Sequence, residues 1–181
     1  MGPFLGISRA IDRINTAVGR AAAWLILAAV LISAGNAIVR KALDISSNAW
    51  LEAQWYLFGA VFMLCAAYTL LQNEHVRIDI LVSRFSHRTR SGIEIFGHIF
   101  FLMPFAVLML YLSVPFFLRS YRLGEHVSDA GGLILWPAKI LLPIGFALLA
   151  LQGISELIKR IAILRGDLPD EAAPDEQLGP H

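Results

Sequence analysis

Charge is what this sequence has least of. Only 16% of its 181 residues are Asp, Glu, Lys or Arg, while 57% are hydrophobic and the mean hydropathy is +0.64. Soluble domains carry roughly 25% charged residues, so an ordinary soluble domain is excluded. Four stretches carry no charge at all: Ala21–Val39, Ala53–Gln72, Ile95–Leu118 and Ile140–Ser155, of 19, 20, 24 and 16 residues. About 20 apolar residues cross a hydrocarbon core roughly 30 Å thick. The shortest stretch also qualifies, because Ala130–Ala138 is uncharged and only Lys139 interrupts the longer run. Lipid offers no hydrogen-bond partner to the backbone, so each stretch is read as a helix. The expectation is an all-α integral membrane protein with four transmembrane helices, over about 21–40, 50–72, 92–118 and 134–158.

Other absences narrow the function. There is one cysteine, Cys65 in the second apolar run, so no intrachain disulfide forms and the thiol reads as a small apolar group in the bundle. No G-x-x-x-x-G-K-S/T motif is present, which excludes a P-loop ATP site. Ion-coupled transporters use charged groups deep in the bilayer or paired broken helices. Here Glu52, Glu74, Glu94, Lys139 and Glu156 all fall near helix ends, and Pro143 with Gly145 loosens one helix only. The chain is therefore not expected to form a transport pathway alone, nor to be an enzyme or hold a cofactor or metal. No A-x-A-like site follows the first run, so that run is not expected to be a cleaved signal. No internal repeat is evident.

What charge there is falls unevenly. Ten of the fifteen basic residues lie before the first span, between spans two and three, or after the fourth, and five lie on the opposite side. The positive-inside rule then places both termini in the cytoplasm. Residues 1–20 are read as a cytoplasmic amphipathic helix on the membrane face, with Ile7, Ile11, Ile14 and Val18 along one side and Arg9, Asp12, Arg13 and Thr16 elsewhere. Residues 21–160 form the membrane domain, and 161–181 an acidic, proline-containing, disordered tail. Ile78, Leu81, Val82 and Phe85 describe either a second interfacial helix over about 77–88 or a solvated basic loop. Ser91-Gly92-Ile93-Glu94 has capping-box spacing and marks the expected start of helix three, in which Pro104 and Pro115 supply places to bend. Asn48 is the expected cap of helix two, with Glu52 near its positive end. Trp136-Pro137 reads as the outer edge of helix four. Ala29, Ser33 and Ala37 on helix one, and Ala53, Ala60 and Ala67 on helix two, offer small faces for close helix contact.

The densest polar cluster, Asn73-Glu74-His75-Val76-Arg77-Ile78-Asp79, is either a hinge that orders the turn after helix two or a solvated loop. On the other side, Arg122, Gly124, Glu125, His126, Ser128, Asp129, Gly131 and Gly132 make a polar connection able to present a surface to another protein. His75 and His98 keep open a rival class, a haem-bearing membrane anchor. His87 and His126 fall on opposite sides, which disfavours zinc. A third class is a small oligomeric exporter, which the lack of a mid-membrane carboxylate argues against.

Several of these fragments carry a family resemblance. Glu52-Ala53-Gln54-Trp55-Tyr56-Leu57-Phe58, Tyr68-Thr69-Leu70 and the Asn73–Asp79 cluster resemble the small permease subunit of TRAP transporters, the DctQ family. Gly124-Glu125, Gly131-Gly132-Leu133, Trp136-Pro137-Ala138-Lys139 and Gln152-Gly153-Ile154-Ser155-Glu156 fit as well, and together the fragments resemble its mannitol/chloroaromatic-type branch. The resemblance covers about 21–165 and is most specific in H-V-R-x-D. It implies a multi-pass protein of the bacterial inner membrane, partnered by a large permease subunit, a periplasmic substrate-binding protein and membrane lipids, with no nucleic acid. It further implies a non-catalytic scaffold for sodium-driven uptake of organic anions such as carboxylates. Candidate docking or structural residues are then Glu52, Gln54, Trp55, Glu74, His75, Arg77 and Asp79, with Gly124, Glu125, Trp136 and Lys139 facing the periplasm.

Overall fold

The computed structural model describes residues 2–44, 48–72, 87–128 and 132–168. Its elements are α1 (Gly2–Leu43), α2 (Asn48–Leu71), α3 (His87–Gly97), a π-helical turn (His98–Leu102), α4 (Met103–Leu123), the single turn α5 (Trp136–Lys139) and α6 (Leu141–Leu164). Among the described residues, four segments are long and apolar enough to cross a membrane: Pro3–Leu43, Asn48–Leu71, Gly92–Leu123 and Trp136–Leu164.

The first helix differs from its expected form. Instead of a surface helix followed by a span, α1 runs unbroken for 42 residues, about 63 Å at 1.5 Å per residue. The junction at Arg20-Ala21-Ala22-Ala23 contains nothing that breaks a helix, and alanine has the highest helix propensity. Of the isoleucine side of the N-terminal half, only Ile11 is buried. Ser8, Ile11 and Asn15 are buried, whereas Ile7 and Ile14 are about half exposed.

The packing seams follow a seven-residue spacing. Ser8, Asn15, Ala22, Ala29 and Asn36 on α1 are all buried, as are Ala60 and Ala67 on α2 and Ala106, Ser113 and Ser120 on α4. A repeat of 3.5 residues per turn keeps one stripe facing its neighbour, and small residues there bring backbones together. Ala29, Ala60 and Ala67 thus pack this chain against itself and are not free to contact a partner, while Ser33 and Ala37 remain exposed.

Helix α6 is the centre of the bundle. It touches α1, α2, α3 and α4. In its most apolar window 50% of residues are buried, against 17%, 17% and 11% in the other three spans. Leu70, Ala106, Phe146, Leu149 and Ala150 form the core beside it, and Phe105 meets Phe146 edge-on at 5.8 Å. Two glycines allow the closest approaches. A Cβ at Gly145 would lie 2.7 Å from Met63 Cε and 2.8 Å from the Met63 carbonyl oxygen, and one at Gly19 would lie 2.5 Å from Tyr68 Cγ.

The third span starts at Gly92, as expected, but the helix that leads into it begins earlier than the capping-box spacing indicates. Helix α3 already begins at His87, which places Ser91 and Glu94 inside it. Glu94 instead meets Arg160 of α6 at 2.8 Å. Just before Pro104, one of the expected places to bend, lies the π-turn, in which the Met103 N–H reaches back to the His98 carbonyl. Pro104 has no N–H to offer the preceding turn, and the wider turn lies just before it.

Candidate functional site

Two polar clusters stand at opposite ends of the bundle. At the end holding the N-terminus of α1 and the C-terminus of α6, polar residues spaced by helical turns face each other. Ser8, Asp12 and Asn15 descend one side of α1, and Gln152, Ser155, Glu156 and Lys159 line α6. Ser8 Oγ lies 2.7 Å from Ser155 Oγ, and Asn15 donates from Nδ2 to Gln152 Oε1 at 2.6 Å. Gln152 donates from Nε2 to Asp12 at 2.9 Å and to Glu156 at 3.0 Å. Ser155 donates to Asp12 at 2.7 Å, and Lys159 pairs with Asp12 at 3.3 Å and with Glu156 at 2.5 Å. Gln152 is completely buried. An unpaired amide there would lose the full cost of desolvation, so the network sets the register of α1 on α6. Of these residues, only the Gln152–Glu156 fragment stood out in the sequence. The signal for the rest was the pairing of two polar stripes at helical spacing, one of which reads equally well as a solvated face.

At the other end, the described arms of the connection from α4 to α5, residues 124–128 and 132–135, pair with each other as a narrow hairpin. Gly124 ends α4 in the left-handed region at φ 55°. Its N–H bonds the Tyr121 carbonyl at 3.3 Å and the Glu125 N–H bonds that of Ser120 at 3.2 Å, the Schellman pattern that glycine permits. Two backbone bonds close the hairpin, Val127 N–H to Leu133 at 3.0 Å and Leu135 N–H to Glu125 at 2.8 Å.

Side chains tie the hairpin to the bundle. Glu52, only 1% exposed, accepts from the Leu133 N–H at 2.6 Å, and one turn on, Tyr56 donates to the Ile134 carbonyl at 3.2 Å. Lys139 of α5 bonds Glu125 and sits 4.4 Å from the centre of the Phe116 ring. The Lys139 ammonium holds the Glu125 carboxyl below its ordinary range. Trp136 meets Tyr121 edge-on at 5.6 Å.

The structure therefore brings Glu52, Gly124, Glu125, Trp136 and Lys139 to one strap. Trp55 points outward and is mostly exposed, and Gln54 is half-buried. Glu74, His75, Arg77 and Asp79, with most of the 77–88 stretch, lie outside the described residues, as does the chain beyond residue 168. His98 Nδ1 lies 2.8 Å from the Glu94 carbonyl, an ordinary contact within one helix, and no observation favours haem.

Four spans, buried polar locks at both ends and no catalytic constellation among the described residues define a multi-pass membrane component. Comparison with protein families makes that specific. Residues 28–162 match the model of the DctQ component of tripartite ATP-independent periplasmic transporters. The chain belongs to that family. It is a small subunit of a TRAP transporter in the inner membrane, not an enzyme. Such a subunit works with a large permease and a binding protein. No curated protein matches the chain.

Proposed function

We propose that this chain is the scaffold of its transporter, steadying the large permease subunit during sodium-driven uptake of organic anions, carboxylates foremost. One observation carries the reading: among the described residues, each acid turned into the bundle has a partner within the fold. Glu52 holds the hairpin, Glu94 holds Arg160, and Glu156 holds Gln152 and Lys159. Coupling ions need carboxylates or carbonyls free to exchange ligands, so the ion and substrate path belongs to the larger subunit. In this reading the hairpin end faces the periplasm and the binding protein, and the Ser8–Lys159 network lies at the cytoplasmic side.

The test is uptake into proteoliposomes under a sodium gradient, using labelled 2-oxo and hydroxy acids with the binding protein outside. Uptake is expected only when this chain and the large subunit are both present. Uptake by this chain alone would overturn the proposal.

A further inference from the structure

The outward side of α1 carries a second stripe that no other described residue of this chain covers. Ile7, Ala10, Ile14, Ala17, Ala21 and Trp24 follow one another at alternating spacings of three and four, and all are exposed; Trp24 reaches 70%. Leu31 continues the pattern, 62% exposed, before Trp50 of α2 comes within 3.9 Å of a Cβ built at Gly35. This is the a/d spacing of a helix that packs on another helix. It is also distinct from the inward seam of Ser8, Asn15, Ala22 and Ala29.

Lipid does not account for it. The charge-free part of α1 is bounded by Arg20 and Arg40, and its 19 residues fill a hydrocarbon core of about 30 Å. The stripe continues through Ala17, Ile14, Ala10 and Ile7, about 20 Å beyond Arg20 along the helix. There neither acyl chains nor any other described residue of this chain covers it, and Ile7 and Ile14 stay 52% and 53% exposed. The same segment is locked upright against α6 by Asp12 and Asn15, so it does not lie down on a membrane surface. The exposed side of α4, by contrast, presents large side chains such as Leu108, Tyr111 and Leu112 within a span, as a lipid-facing helix does.

Charge decides the kind of partner. With Ile7, Ile14 and Ala21 at a, Arg13 and Arg20 fall on the flanking g positions, both exposed. Asp12, the acid nearest to them in sequence, is turned to Ser155 and Lys159. A second copy of this chain would set arginine against apolar e positions such as Val18, with no carboxylate to meet it. We infer that the Ile7–Leu31 stripe of α1 docks a long helix of the large permease subunit, one with an apolar seam and acidic residues flanking its extramembrane end. This rests on the scaffold reading and names its contact surface.

The experiment places the photo-crosslinker benzoylphenylalanine at Ile14 or Leu31, with Leu108 and Tyr111 of α4 as controls, in membranes carrying the whole transporter. Adducts with the large subunit are expected from Ile14 and Leu31 and not from the α4 positions. Ala17→Trp, at an exposed position, is expected to cut recovery of the large subunit at least ten-fold without reducing insertion. Adducts from α4 alone, or an Ile14 adduct of two copies of the 20.0 kDa chain, would overturn this surface while leaving the scaffold reading intact. Failure of the large subunit to co-purify with the unmodified chain would overturn both.

Discussion

Gln152 shows how a membrane protein uses a polar residue that its span can hardly tolerate alone. Its amide is fully buried between Asn15, Asp12 and Glu156, so its value lies in the alignment it imposes rather than in net stability. Interhelical hydrogen bonds in membranes average only about 0.6 kcal/mol, while a buried polar group left unpaired costs about 1–3 kcal/mol. Asn15→Leu alone should therefore destabilise the detergent-solubilised protein by roughly 1–3 kcal/mol. Asn15→Leu with Gln152→Leu should cost less than the two single changes added together, which thermal unfolding of all three variants would measure. Gly145→Ala tests packing in the same assay. Its new methyl meets the Met63 backbone oxygen as well as its side chain, so a loss of about 1–3 kcal/mol is expected, as for an overpacked core. Glu125 supplies a pH prediction. Its folded pKa is lowered by Lys139, so the strap's contribution is complete above the ordinary glutamate pKa, about 4.3. It is lost only as pH falls below that range and the carboxylate protonates. Limited proteolysis near Val127 should accelerate in that acid window, and Glu125→Gln should remove most of the pH dependence.

The elements were legible to different degrees, for physical reasons. The four spans could be read because lipid tolerates neither charge nor unpaired backbone. The long unbroken α1 could not, since a surface helix and an upright one share the same spacing of isoleucines. What separates them is the partner of Ser8 and Asn15, which lies on α6, 147 and 137 residues away. The capping-box spacing at Ser91 does not mark the helix start, because the helix already begins at His87. Glu52, Gly124, Glu125, Trp136 and Lys139 were each visible as candidates, yet only the fold shows that they form one strap. Tyr56 joins them by donating to the Ile134 carbonyl, a partner 78 residues away that no local pattern reveals. The strap makes a prediction for the α4–α5 connection. Glu52→Ala should free the Leu133 N–H and raise hydrogen exchange at Val127, Leu133 and Leu135 together, leaving α1 and α6 protected. Slow exchange at those three amides would contradict its role.

At the scale of the whole molecule, the fold spends its buried polar groups on holding helices in place. Alpha6 is surrounded and α1 and α4 are mostly bare, an uneven arrangement suited to a subunit with more surface to cover. The central claim is that this chain works as the fixed companion of a larger transporter subunit. Affinity capture of the C-terminally tagged chain from native membranes in mild detergent, with mass spectrometry of what it retains, tests this most directly. The account predicts a much larger polytopic membrane protein in near-equal amount. Recovery of the chain by itself, as a stable homo-oligomer, would contradict it.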